Sequence, residues 1–367
     1  MNKKVSICVA VYNIDEQYLR ECIESIIADK SPDIEIILGD DCSAEDCGKI
    51  CMEYERKDSR IKCIRPEHNG GVSRMRNLMI DASNGKYILF VDGDDAVSAD
   101  YITRLKEIAE TEYDIVMVEW QEFETDIPKT DIKYSDIINT DGSACKVFSR
   151  ACLTGAPPQI EKFGIKNSTP SSVCTKVYRR DFIVDNGLRF KEGLKKSQDV
   201  TFNTEAFFKC RKLGYLPKIM YLYRINPKSI CHRYSADFES IINDCIRYDE
   251  ENMKKFYPNN VNCTELWNKY KIIHFIISNF ELNIFHKDNP NSKNIRKNDF
   301  LNFVGAPPFS DFFDNFDFDS CTWRERRLIL KLAKNKRFCL LDFMYKHPVS
   351  FKIYGKFKNI IDFKGKE

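Results

Sequence analysis

Between residues 5 and 118 the sequence alternates short apolar runs with segments of helical period, and no other feature restricts the fold as tightly. Residues 5–11, 34–38, 61–64, 86–91 and 115–118 are short and rich in Val and Ile, the composition of strands buried on both faces. Residues 16–29 place Leu19, Cys22, Ile23, Ile26 and Ile27 at the i, i+3, i+4, i+7, i+8 spacing of an amphipathic helix. Residues 44–56, 72–82 and 99–111 read as further helices. Strands alternating with helices in this way predict an α/β fold: a mostly parallel sheet with helices on both faces. Such sheets bind ligands beyond the carboxyl ends of their strands, at the point where strand order reverses.

Two of those carboxyl ends are acidic. The run Tyr87-Ile88-Leu89-Phe90-Val91 stops at Asp92-Gly93-Asp94-Asp95, and the second strand stops at Gly39-Asp40-Asp41. Carboxylates this close repel one another unless a cation lies among them, and hard oxygen ligands suit Mg²⁺ or Mn²⁺. By itself Asp-Gly-Asp-Asp is equally a turn. The first strand leads into Tyr12-Asn13-Ile14-Asp15, so no Gly-x-Gly-x-x-Gly dinucleotide loop follows it, and the chain has no Gly-x-x-x-x-Gly-Lys-Ser/Thr phosphate loop.

With 367 residues, 43% of them hydrophobic and 31% charged, the chain has the composition of a soluble protein of about two domains. A net charge of +2 indicates no nucleic-acid partner. The fifteen cysteines are odd in number and follow no repeated framework, which implies reduced thiols in a cytosolic compartment. Residues 5–11 are too short and wrongly flanked for a signal peptide, and residues 272–277 are too few to span a bilayer. Residues 123–170, interrupted by several Gly and Pro, read as a variable insertion across the front of the site. Beyond residue 235 the text is helical.

Taken in order, these segments resemble the inverting family 2 glycosyltransferases of GT-A fold. The resemblance is carried by residues 5–13, 35–43, Asn69-Gly70-Gly71-Val72-Ser73-Arg74-Met75-Arg76-Asn77, residues 87–95, 176–180, Gln198-Asp199-Val200-Thr201-Phe202 and residues 223–230. It covers residues 3–232 and implies a GT-A catalytic domain over 1–233, followed by a mostly helical region over 234–367.

The resemblance implies transfer of a sugar from a UDP-sugar to a glycan hydroxyl, in surface polysaccharide or lipopolysaccharide synthesis. Ala10, Val11 and Tyr12 would line the nucleobase pocket, Asp41 would accept from the uracil imide, and Arg76 and Gly93 would face the nucleotide-sugar; without the resemblance, Asp41 reads as a helix N-terminal or turn carboxylate and Arg76 as part of a solvated helix face. Asp92 and Asp94 would hold Mn²⁺ or Mg²⁺ on the donor's diphosphate, with His232 as a further ligand. Asp199 would be the general base that takes the acceptor's proton. Lys176, Arg179 and Arg180 either reach the donor's phosphates or are surface charges. The chain departs from the family's pattern at Gln198, where Glu is usual, and at Cys42, where Gly is usual.

Residues 321–367 hold thirteen Lys/Arg against four Asp/Glu, so this end is basic and the rest acidic. Among those charges stand Leu328, Ile329, Leu332, Ala333, Leu340, Leu341, Phe343 and Met344. This pattern fits either a helix on an anionic membrane surface, near lipid-linked glycan acceptors, or one packed on the protein with a solvated basic face. The expected location is cytoplasmic, with peripheral attachment to the inner face of the membrane in the first case. Two alternatives to a transferase remain: a nucleotidyltransferase making a nucleotide-sugar, and a non-catalytic nucleotide- or glycan-binding protein, for which Gln198 argues.

Overall fold

The computed structural model describes residues 4–130, 136–140, 142–158, 160, 163–165, 169–226 and 233–347. They form two compact units. The first comprises residues 1–153, 157–226 and 247–259, and the second residues 154–156, 227–246 and 260–367. Residues 247–259, which the sequence places in the C-terminal region, thus belong with the first unit.

The first unit begins with β1 (Val5–Val11), α1 (Glu16–Ile27), β2 (Ile34–Asp40), α2 (Glu45–Lys57), β3 (Ile61–Ile64), α3 (Gly71–Ala82) and β4 (Tyr87–Asp92). β5 (Ala96–Val97), α4 (Tyr101–Ala109), β6 (Ile115–Phe123), β7 (Ile138–Thr140) and α5 (Gly142–Thr154) follow. β8 (Lys176–Arg179), α6 (Arg180–Asp185), α7 (Gln198–Lys209) and β9 (Leu213–Arg224) complete the sheet. Its order is β3-β2-β1-β4-β8-β6-β9-β5, with β7 paired to β9. β1 to β4 are mutually parallel, β8 is antiparallel to β4 and β6, and β6 runs parallel to β9. The mixed sheet follows from the chain returning through β8.

The chain moves outward from β1 through β2 to β3, then returns to place β4 on the other side of β1. Strand order therefore reverses at β1/β4. There Ala10 is opposite Gly39 on one side and Asp92 on the other, and Val11 is opposite Asp40. The register alone brings the two acidic strand ends together.

Within residues 123–170, α5 is a regular, packed helix. α5 buries Ala144, Cys145, Phe148 and Cys152, and Phe148 stacks on Phe207 of α7 at 5.3 Å. Ser149 Oγ donates to the Thr204 carbonyl at 2.7 Å. The helix is flanked by Pro128 on one side and by Gly155, Pro157 and Pro158 on the other, residues that mask its period in the sequence. β9 also begins seven residues before the expected start at Met220, despite Pro217. The register with β6 slips between Val118 and Trp120, and a bulge there accommodates a residue with no N–H to donate.

α8 (Phe238–Phe256) is divided between the units. The second unit continues with α9 (Val261–Asn279), α10 (Lys293–Gly305), α11 (Phe309–Asn315), α12 (Arg324–Lys334) and α13 (Phe338–Lys346). Its core is aromatic, including Phe280, Phe300, Phe303 and Phe338, with Phe285 stacked on Tyr345 at 5.0 Å. The apolar run 272–277 is the buried face of α9, and no described helix is long and apolar enough to cross a membrane. Ile329, Leu332, Ala333, Leu341 and Met344 are buried within this unit, while Phe343, Lys331, Lys334, Lys336 and Arg337 are exposed. Most of the apolar side chains counted toward a membrane face are therefore used in packing.

Candidate active site

β4 delivers its carboxylates by ending. Gly93 N donates to the Ala10 carbonyl at 3.0 Å and Asp95 N to the Asp92 carbonyl at 3.0 Å, which turns the chain sharply over β1. A Cβ on Gly93 would lie 2.7 Å from Ile14 Cδ1 and 3.0 Å from the Ala10 oxygen, so the close approach over β1 favours glycine. Asp92 and Asp94 are part-exposed, whereas Asp95 is buried. The Asp95 carboxylate accepts from Tyr221 Oη and, at 2.7 Å, from Arg224 N. Arg224 in turn donates from Nε to the Asp94 carbonyl at 2.8 Å and pairs with Glu21 at 2.6 Å, its guanidinium between Tyr18 and Phe123. Asp95 is thus the clamp between the acidic turn and β9.

Burial, reinforced by Asp92, raises Asp94 to about 6. Burial, with Asp92 and Asp94, raises Asp95 to about 8. The turn holds more negative charge than the protein around it neutralises. Asp92 and Asp94 stay part-exposed in this excess, and carboxylates are donors of the kind a hard divalent cation takes. Among the described residues, no cluster of three or more potential ligands forms a complete cage. His232 lies outside the described residues.

Asp41 stands at the end of β2, 3% exposed. Its carboxylate accepts from Asn69 Nδ2 at 2.8 Å, Gly70 N at 2.9 Å and Gly71 N at 2.7 Å. It caps the N-terminus of α3, satisfying amides that no earlier turn can reach. Asn69 is a residue whose role the sequence left unstated. Its place in the Asn-Gly-Gly run was the available signal. Cys42 adopts φ +58°, which explains why glycine is usual there. Val11 is buried in the core at 1% exposure, Ala10 is part-buried, and Tyr12 stands at 47% beyond the strand end. Of the three residues expected around the nucleobase, Tyr12 offers the most accessible side chain.

α3 brings Arg76 inward, which excludes the solvated helix face as its setting. Arg76 is 4% exposed, and its guanidinium bonds Asp92 from Nη2 at 2.9 Å and Asp199 from Nη1 at 2.5 Å. Burial opposes its charge, but Asp199 and Asp92 outweigh that and raise its pKa above the ordinary arginine value. Asp199 lies in the first turn of α7, after Ser197 at φ +63°, and its other oxygen accepts from Val173 N at 3.1 Å. Gln198 points elsewhere: its Nε2 donates to the Leu194 carbonyl at 2.8 Å, a bond a carboxylate cannot make.

Neither reading of Lys176 survives. It is fully buried, donates to the Thr169 and Ser172 carbonyls, and is lowered to about 8 by burial. Arg179 pairs with Asp114 at 2.6 Å and Arg180 donates to the Ser83 carbonyl at 2.8 Å, so both are engaged in structure.

A mixed α/β sheet with an acidic turn at its β1/β4 switch point, faced by a carboxylate from a later helix, is the GT-A class of glycosyltransferase fold. Residues 6–150 match Glycosyl transferase family 2. The chain is 34% identical over 243 residues to the uncharacterized glycosyltransferase EpsJ of Bacillus subtilis, covering 62% of each protein. It is 35% identical over 241 residues to the putative glycosyltransferase EpsH of the same organism, covering 64% of this chain and 65% of that one. It thus spans a little under two thirds of these relatives' length. The crystal structure of Staphylococcus aureus TarS 1–349 in complex with UDP-GlcNAc superposes with a TM-score of 0.59 at 20% identity, over 94% of this chain and 92% of that one. Residues 6–150 thus carry a family 2 glycosyltransferase domain.

Proposed function

We propose that this protein transfers a sugar from a UDP-sugar to a hydroxyl of a glycan acceptor, with inversion, in surface polysaccharide synthesis. The observation that carries the reading is the guanidinium of Arg76, which joins Asp92 of the acidic turn to Asp199, a residue 107 positions later. One carboxylate would face the donor's diphosphate and the other the acceptor's hydroxyl. TarS, crystallised with UDP-GlcNAc and with UDP, and named a poly(ribitol-phosphate) β-N-acetylglucosaminyltransferase, supports a UDP-sugar as donor. The succinoglycan biosynthesis protein ExoO of Rhizobium meliloti, 26% identical over 258 residues, supports a glycan acceptor.

In this reading Asp92 and Asp94 would hold Mn²⁺ or Mg²⁺, whose Lewis acidity would be supplied to the donor's diphosphate. Asp199 accepts the proton of the attacking hydroxyl, and Asp95 with Arg224 keeps the acidic turn in place. Asp41 serves the nucleotide chiefly by holding α3, since three donors already occupy its carboxylate. The exposed basic side chains of α12 and the following turn would give peripheral attachment to anionic lipid on the cytoplasmic face. Flotation with phosphatidylglycerol vesicles that is unchanged when Lys331, Lys334 and Lys336 are replaced by Glu would remove that attachment.

The transfer reaction is tested by following UDP release from a panel of UDP-sugars with Mn²⁺ or Mg²⁺. Wild-type protein should release UDP slowly by hydrolysis and faster with a glycan acceptor, and Asp92→Ala and Asp199→Asn should lose both. Protein that neither binds UDP in calorimetry nor releases it contradicts the proposal.

A further inference from the structure

We propose that Arg76 is a positioning residue that fixes the base carboxylate Asp199 relative to the acidic turn, an inference that rests on the transferase reading above. The two carboxylates come from β4 and α7, and among the described contacts the guanidinium links them directly. Inversion requires the acceptor oxygen, the anomeric carbon and the departing oxygen to be in line, so the base must be held at a set distance from the leaving group. A guanidinium suits that task because its planar fork donates in fixed directions and never loses its charge.

The surroundings hold the fork still. Its plane lies near Phe190 at 5.2 Å and Phe90 at 6.0 Å, and these rings pack edge-to-face at 5.2 Å. Phe190 stacks in turn on Phe202 of α7 at 4.2 Å, so the helix bearing Asp199 is packed on the cage around Arg76. Arg76 Nε is buried with no partner among the described residues. The side chain commits its two terminal nitrogens to the two carboxylates and leaves this donor unsatisfied. Asp199 is held at both oxygens, by Arg76 and by Val173 N. Asp92 keeps 43% of its side chain exposed and remains open to a second partner.

The test compares wild type, Arg76→Ala and Arg76→Lys in three measurements: steady-state UDP release with acceptor, UDP affinity by calorimetry, and recovery of Arg76→Ala in millimolar guanidinium chloride against matched sodium chloride. Misplacing a reacting group by about 1 Å costs on the order of a hundredfold, so both variants should lose kcat by about that factor. UDP affinity should stay within about threefold of wild type, and guanidinium should restore kcat in Arg76→Ala by about tenfold or more, since it re-forms the bridge. Lysine keeps the charge but supplies a point donor in place of a fork, so Arg76→Lys reports the same role if the alanine variant does not fold. An unchanged kcat, a loss that merely follows UDP affinity, or no recovery beyond sodium chloride in a folded Arg76→Ala overturns the inference. Wild-type protein that releases no UDP removes the transferase reading itself, a different result.

Discussion

Replacing Asp41 by Asn tests how the fold holds the site together. The side chain is buried and receives three hydrogen bonds, one at Oδ1 from Gly70 N and two at Oδ2 from Asn69 Nδ2 and Gly71 N. Asparagine has a single acceptor oxygen. With that oxygen at the Oδ2 position, its amide group confronts Gly70 N, leaving a buried donor facing donors, which costs about 1–3 kcal/mol. The two remaining bonds change from charge-assisted to neutral, each weaker by about 1 kcal/mol. A negative charge also leaves the N-terminus of α3, worth about 0.3–1 kcal/mol more. The sum is about 4 kcal/mol. For a domain of this size each kcal/mol moves Tm by about 2–4 °C, so calorimetry should show the first unit unfolding roughly 8–16 °C earlier. The damage should be local first: hydrogen exchange at residues 70–74 should accelerate well before the core of β1 or β4. Because Arg76 lies just beyond the first turn of α3, activity should fall with it. An unchanged Tm together with unchanged exchange at Gly70 and Gly71 would refute the capping role.

Gln198→Glu would restore the family's usual residue and remove the donor to the Leu194 carbonyl, placing a carboxylate against an oxygen. It should destabilise the first unit by about 1–2 kcal/mol and leave kcat no higher. Greater stability in thermal unfolding would show that the glutamine bond contributes nothing. The acidic turn makes a pH prediction. Asp94 and Asp95 are raised to about 6 and about 8, so the folded protein binds their protons more tightly than the unfolded chain does. Their contribution to stability is fullest below the unfolded carboxyl range and is lost as pH climbs through about 6 and then about 8. A divalent cation displaces protons there, so Mn²⁺ affinity should strengthen across the same window with proton release. Calorimetry in buffers of different ionisation enthalpy reads that release directly, and pH-independent affinity would contradict it.

Much of the first unit was legible because its signals are local. Leu19, Cys22, Ile23, Ile26 and Ile27 are all buried on α1, as their spacing requires, and the strand ends carry Asp41 and Asp92 where expected. α5 was masked by the Gly and Pro residues that flank it, and the start of β9 by Pro217, which sits at a bulge. Tyr221 and Arg224 were plain strand residues until pairing with β5 and β6 set them against Asp95. Lys176 shows the opposite limit: its sequence neighbours gave no sign that carbonyls of residues 169 and 172 would enclose it.

Sequence by itself determined the order of strands and helices, the acidic turn after β4 and the family resemblance, because each depends on residues close together in the chain. Only the tertiary structure decided what those residues do to one another. Asp41 became the cap of α3, Asp95 the clamp on β9, and Arg76 the link between Asp92 and Asp199. Those contacts span between 16 and 129 positions of chain, and packing across the sheet, which no local pattern encodes, selects among the partners a charge could take.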